Sequence, residues 1–145
     1  MEKNQFDSSK FSIEPQATRV EKPWGYEIHW AQTPDYVGKF IHLNKGKRFS
    51  LQYHDEKLET QMLISGKARY YLDNNQGEYV SVDMEIGKGY TIQPFQRHRV
   101  EAIEDCDIVE VSTLEKGTTF RLDDDYKRPD ETEEIRKEPN RGWGK

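Results

Sequence analysis

The stretch Gly46-Lys-Arg-Phe-Ser-Leu-Gln52-Tyr-His54-Asp-Glu-Lys-Leu-Glu59, closed by Gly66, decides how this chain reads. Its partner lies further on, in Gly89-Tyr-Thr-Ile-Gln-Pro94-Phe-Gln-Arg-His98. Gln52 and His54 stand two apart, so on a strand both point to one face. Parity extends that face back through Ser50 to Arg48 and leaves Phe49, Leu51 and Tyr53 on the other. A polar face of this kind is costly to bury unless it lines a cavity or binds something. Glu59 opens a second extended run, in which Glu59, Gln61 and Leu63 share a face. Gly66 permits a tight turn after it, and Pro94 fixes the turn before His98. Two imidazoles, one carboxylate and one amide oxygen on converging strands can hold a divalent cation, so the expected ligands are Gln52, His54, Glu59 and His98. Such donors accept Zn, Mn, Fe, Co or Ni. Without thiolates they do not make a structural zinc site. Ordinary strand histidines in a polar cavity are the competing reading, which suits one histidine better than four ligand-type residues in a two-part pattern.

Around these motifs the chain alternates short extended segments with turns. The segments are Tyr26–Trp30, Val37–Leu43, Arg48–His54, Leu58–Ile64, Ala68–Leu72, Tyr79–Met84, Tyr90–Ile92, Arg99–Ile103 and Ile108–Thr113. Each is rich in β-branched and aromatic residues. Asn44-Lys-Gly46, Ser65-Gly66, Asp73-Asn-Asn-Gln-Gly77, Gly87-Lys-Gly89 and Pro94 punctuate them. Many short strands without a helical period between them predict an all-β sandwich or barrel. The ends are more polar. Residues 1–18 read as an N-terminal arm in which Phe6, Phe11 and Ile13 can dock, residues 19–122 as the domain, and residues 123–145 as a polar tail. Within the tail, only the run after Asp130 has a helical look. Trp24 and Trp30 are expected to pack against the domain, and Trp143 to be exposed or held by a partner chain.

The chain has 145 residues, a net charge of −5 and no basic stripe, which argues against a nucleic-acid partner. No apolar run is long enough to span a membrane, and the first residues lack a signal-peptide core. The single cysteine, Cys106, lies in an apolar run and reads as a strand thiol in a reducing compartment. The expected localisation is cytoplasmic.

With these motifs in place, the chain resembles the cupin superfamily. The first cupin motif, Gly-x5-His-x-His-x3–4-Glu-x6-Gly, is matched from Gly46 to Gly66 with Gln52 in place of the first His. The second is matched loosely from Gly89 to His98. The nearest likeness is the C-terminal domain of type II mannose-6-phosphate isomerases, often fused to a mannose-1-phosphate guanylyltransferase. The matching stretches are Lys22-Pro-Trp-Gly-Tyr26, Ser50-Leu-Gln-Tyr-His54, His98-Arg-Val-Glu101 and Arg121-Leu-Asp-Asp-Asp125-Tyr-Lys-Arg128. Asp55-Glu56-Lys57 and Thr60-Gln61 depart from that domain's usual His-His-Arg and His-Trp. The resemblance implies a double-stranded β-helix, the cupin or jelly-roll barrel, with Gln52, His54, Glu59 and His98 as metal ligands and pairing into a homodimer.

It also implies an aldose–ketose isomerisation of a sugar phosphate through an enediol. The phosphate would need cations, for which Arg48, Lys39, Arg97 and Arg99 are candidates. The proton would need a base, for which Glu101 and Lys57 are candidates. An iron-dependent oxygenase built on His54, Glu59 and His98, and a module that binds a sugar or nucleotide-sugar without turnover, stand as alternatives.

Overall fold

The computed structural model describes residues 4–10 and 14–144. Alternating apolar and polar residues give strands β1 (Thr18–Lys22), β2 (Gly25–Gln32), β3 (Val37–Leu43), β4 (Leu51–His54), β5 (Glu59–Ser65) and β6 (Ala68–Asp73). They continue as β7 (Tyr79–Asp83), β8 (Gly89–Ile92), β9 (His98–Ala102), β10 (Cys106–Ser112) and β11 (Thr119–Asp123), followed by one short helix, α1 (Glu133–Arg136). Two antiparallel sheets form, a six-stranded one in the order β1-β2-β3-β10-β5-β8 and a five-stranded one in the order β11-β4-β9-β6-β7. No helix among the described residues is long and apolar enough to cross a membrane.

The sheets face each other across a core of Ile41, Leu43, Leu63, Cys106 and Ile108 on one side and Ala68, Tyr70, Val100 and Ala102 on the other. Each large aliphatic side chain buried there contributes roughly 1.5–3 kcal/mol. Trp24 and Phe49, ring centroids 4.6 Å apart, pack within this cluster. Burial pushes the Cys106 thiol up to about 12, so it behaves as a small core hydrophobe. The other face of the six-stranded sheet is also apolar: Ile28, Phe40, Val109 and Met62 lie in one cross-strand row. Trp30 packs on that outer face, 44% exposed and over Gly38, whereas Trp24 joins the core.

Each of the nine expected segments overlaps a strand, with three differences. The strand expected from Arg48 starts at Leu51, because Phe49 and Ser50 are both buried and break the period of two. Arg48 therefore leaves the inward face and pairs with Asp125 on the surface, with Nε and Nη2 each 2.7 Å from a carboxylate oxygen. Two further strands, β1 and β11, were not expected from the sequence; they are the first and last strands of their sheets and are largely polar. The tail also folds back on the barrel. Glu131 forms an isolated bridge with Thr119, and the Thr132 hydroxyl caps α1. Trp143 meets Tyr126 edge-on at 6.1 Å within the same chain. In the N-terminal arm Phe6 is 70% exposed, and Phe11 and Ile13 lie outside the described residues.

Gly66 joins β5 to β6 at φ +84, and a Cβ there would lie 2.0 Å from the Asp105 carbonyl oxygen. Backbone clash and left-handed geometry both oppose a side chain. Gly66→Ala is expected to cost about 3 kcal/mol of stability, read as a lowered urea midpoint with unchanged slope.

Candidate metal centre

β4 supplies His54, β5 opens on Glu59 and β9 opens on His98. Gln52 and His98 are direct cross-strand neighbours, which brings the second motif against the first. His54, Glu59 and His98 are each at most 4% exposed. One donor atom from each lies within 4.8 Å of the others. Glu59 Oε1 stands 3.3 Å from His54 Nε2 and 3.1 Å from His98 Nε2. All three atoms are buried, and none has a hydrogen-bond partner.

The remaining atoms of the trio are engaged. His98 Nδ1 donates to the Gln96 carbonyl at 2.9 Å, which leaves Nε2 with a bare lone pair. His54 Nδ1 lies 2.8 Å from the Thr119 hydroxyl, which can accept its proton. Glu59 Oε2 takes the Lys57 ammonium at 3.1 Å. Burial pushes the His54 pKa down, favouring the neutral imidazole. Burial alone would raise the Glu59 pKa, but Lys57 and His54 outweigh it and hold the carboxylate well below its usual range. Two imidazole lone pairs facing an ionised oxygen form a donor set that fits a divalent cation. Gln52 lines the same cavity, and its amide oxygen accepts from the Ser50 hydroxyl at 2.6 Å. A carbonyl oxygen has two lone pairs, so one stays available.

His54 and Glu59 sit in the wall of a cavity of about 60 Å³, with His98 behind Glu59, and the wall also presents Lys22, Glu27, Lys39, Lys57, Glu110 and Glu115. Lys57 bonds Glu110 Oε2 at 3.0 Å, and Gln61 donates to Glu110 Oε1 at 2.8 Å. The Tyr70 hydroxyl in turn donates to Gln61 Oε1. Burial and the neighbouring Glu59 charge push the Glu110 pKa up to about 7 against the pull of Lys57. Burial lowers the Lys57 pKa, yet Glu110, Glu59 and Glu115 overcome it and keep the ammonium charged.

The other residues singled out in the sequence fall in different places. Lys39 is 3% exposed, lines the cavity and pairs with Glu115 at 2.9 Å. Arg97 is exposed. Arg99 is buried but bound elsewhere, donating to the Phe49 carbonyl at 2.7 Å and to Asp123 at 3.0 Å. Glu101 accepts from the Tyr71 hydroxyl at 3.1 Å and is not part of the cavity wall, nor is Arg48. Of the two candidate bases, only Lys57 lies in the cavity.

Sequence reasoning missed Glu27, Glu110, Glu115, Arg121, Glu131 and Arg141, all of which line the cavity. For Glu110 a signal existed: on β10 it shares a face with the core residues Cys106 and Ile108. A carboxylate on an apolar face needs a partner.

No protein-family model matches the chain, and no curated protein matches it. Solved structures do match. Oxalate decarboxylase from Bacillus subtilis at pH 4.6 superimposes with a TM-score of 0.65 at 18% identity, over 73% of this chain and 30% of that one. Another structure of the same enzyme gives a TM-score of 0.60 over 67% and 27% of the two chains. The fold is that of a cupin. At 18% identity the likeness carries the architecture alone, and this chain spans about 30% of the length of its neighbour. The neighbour is described as having Mn(II) centres.

Residues that orient a ligand commonly change metal affinity about 10- to 100-fold when removed. Thr119→Val keeps the β-branched shape and deletes the partner of His54 Nδ1. It is expected to weaken Mn(II) binding in that range by calorimetric titration, and Glu59→Ala to abolish it.

Proposed function

We propose that this cupin is a metal-dependent enzyme that moves a proton between adjacent carbons of a phosphorylated sugar, an aldose–ketose isomerisation of the mannose-6-phosphate type. The observation that carries this reading is that His54 and Glu59 of the donor set line the same cavity as the buried Lys57–Glu110 pair. Metal-assisted enediol chemistry uses both parts. A divalent ion bound by the trio would polarise a carbonyl and its neighbouring hydroxyl.

The chain itself provides the rest. Glu110 is a carboxylate in the cavity wall held at both oxygens, positioned to take a proton from a carbon lying over the donor set. Lys57 is the cation that favours the negative charge developing as that proton leaves. Gln61 and Tyr70 lock the Glu110 rotamer. Glu110 therefore replaces Glu101 as the candidate base, and Lys57 becomes its electrostatic partner.

The cavity volume favours a second reading. About 60 Å³ is small beside the roughly 300–1,000 Å³ of ordinary ligand pockets. A sugar phosphate enters only if side chains of the C-terminal segment, Glu131 first among them, turn aside. A small dicarboxylate, the class of substrate named for the structural neighbour, needs far less room.

Incubation of the Mn(II)- or Zn(II)-loaded chain with mannose 6-phosphate in deuterated water, followed by proton NMR, separates the two. The isomerase reading predicts fructose 6-phosphate carrying solvent deuterium, with turnover reduced about 100-fold or more in Glu110→Gln. Consumption of carbon-13 oxalate in a parallel incubation, read by carbon NMR, with no change in the sugar phosphate would overturn it in favour of the second reading.

A further inference from the structure

The cavity has two electrostatic zones, and the proposed function uses only the deeper one. At depth, Lys57 faces Glu59 and Glu110, a surplus of negative charge that suits a cation. At the mouth the balance reverses. Lys22, Lys39, Arg121 and Arg141 gather against Glu27, Glu115 and Glu131, and Arg136 reaches Glu131 from outside the cavity wall. Every one of these side chains is at most 12% exposed. Arg128 also lines the mouth, but Asp124 neutralises it with contacts at 2.9 and 3.1 Å. An uncompensated positive surplus out of contact with water is unfavourable unless an anion joins it.

One carboxylate serves most of the mouth. Glu131 has Arg141 Nη1 at 3.3 Å, Arg136 Nε at 3.4 Å, Arg121 Nη2 at 3.8 Å and Lys22 Nζ at 3.9 Å. Charge-assisted hydrogen bonds normally close to about 2.7–2.9 Å. Glu115 satisfies Arg141 and backbone carbonyls satisfy Arg136, so the cations that Glu131 leaves weakly held are Lys22 and Arg121, whose other tie is Nη1 on the Pro129 carbonyl at 2.7 Å. Arg121 makes this explicit: its side chain is 8% exposed, and its Nε is buried with no hydrogen-bond partner.

The backbone around the mouth is held in an unfavourable form. Asn140 and Arg141 adopt left-handed geometry at φ 48 and φ 53, although neither is glycine. Each such residue costs roughly 1 kcal/mol or more. The arrangement places the Arg141 guanidinium over the cavity, with both amino groups on Glu115 at 2.8 and 2.9 Å. Asn140 is tied to the barrel by accepting from the Glu21 amide at 2.9 Å.

We propose that Lys22, Arg121 and Arg141 form an oxyanion subsite that takes the phosphate or carboxylate group of the ligand, and that the Glu131 side chain occupies this subsite until the ligand displaces it. A ligand oxyanion brings several acceptor oxygens to donors that share one carboxylate. Glu131 need not unfold to leave. Its backbone amide and carbonyl stay bridged to Thr119 at 2.9 and 3.0 Å, so only the side chain turns away. The ligand would then span both zones, with its anionic group at the mouth and its reacting carbons over the donor set. The identity of the ligand rests on the proposed function, but the subsite can be tested without turnover.

The test is calorimetric titration of the metal-free chain with inorganic phosphate and, separately, with oxalate at fixed ionic strength. Binding of phosphate points to a phosphate ester as ligand, and binding of oxalate alone to a carboxylate; either supports the subsite. Arg121→Gln is expected to weaken binding at least about 10-fold. Glu131→Gln is expected to tighten it by a similar factor, because the internal competitor loses its charge. A purely structural cluster would show no gain in that variant. Lys22→Gln repeats the test should Arg121→Gln prove unfolded by circular dichroism. The proposal is overturned if neither anion binds, or if Glu131→Gln binds no more tightly than the parent. Glu59→Gln is expected to retain phosphate binding while losing Mn(II), so failure of the metal site and failure of the subsite give different results.

Discussion

Three lone pairs converge inside this barrel, and among the described residues no proton donor sits between them. His54 Nε2, His98 Nε2 and Glu59 Oε1 are buried acceptors without partners. Buried polar atoms are nearly always satisfied, so a trio of convergent orphans calls for a missing positive charge. Protonating His54 is one alternative, and its surroundings resist it. Burial disfavours an imidazolium at His54. Glu59 already has its cation, Lys57, at its other oxygen. A divalent ion satisfies all three atoms at once, and the strand pairing that brings His98 beside Gln52 makes the convergence possible.

The rest of the cavity can be understood from this constraint. Lys57 keeps Glu59 ionised and also ties Glu110 into the wall. Glu115 bridges Lys39 and Arg141, so the charged interior runs unbroken from the donor set to the C-terminal segment. Such networks are costly to bury and are retained where function requires them. The tail is therefore part of the site. Without Glu131 and Arg141 the mouth would have a different charge and a different opening.

Much of this was legible in the sequence, for identifiable reasons. His54, Glu59 and His98 could be found because each ends or opens a strand, where a period of two fixes the facing direction. The same rule misled at Arg48, because consecutive burial of Phe49 and Ser50 breaks the period just before β4 begins. It was not applied to β10, where Glu110 stands on the same face as Cys106 and Ile108 and so had to be an interior charge. Glu131 and Arg141 were beyond reach by sequence reasoning. Their neighbours form a polar, charge-rich tail that reads as solvated, and their burial depends on the path the chain takes back across the barrel. The strands β1 and β11 escaped for a related reason: each buries one side chain and exposes polar neighbours.

The most direct measurement is anomalous diffraction from crystals of the chain loaded with Mn(II). The account predicts one strong peak within coordination distance of His54 Nε2, Glu59 Oε1 and His98 Nε2, with the Lys57 contact to Glu59 preserved. A loaded crystal showing no peak there, or showing the ion bound only by surface carboxylates, would contradict it.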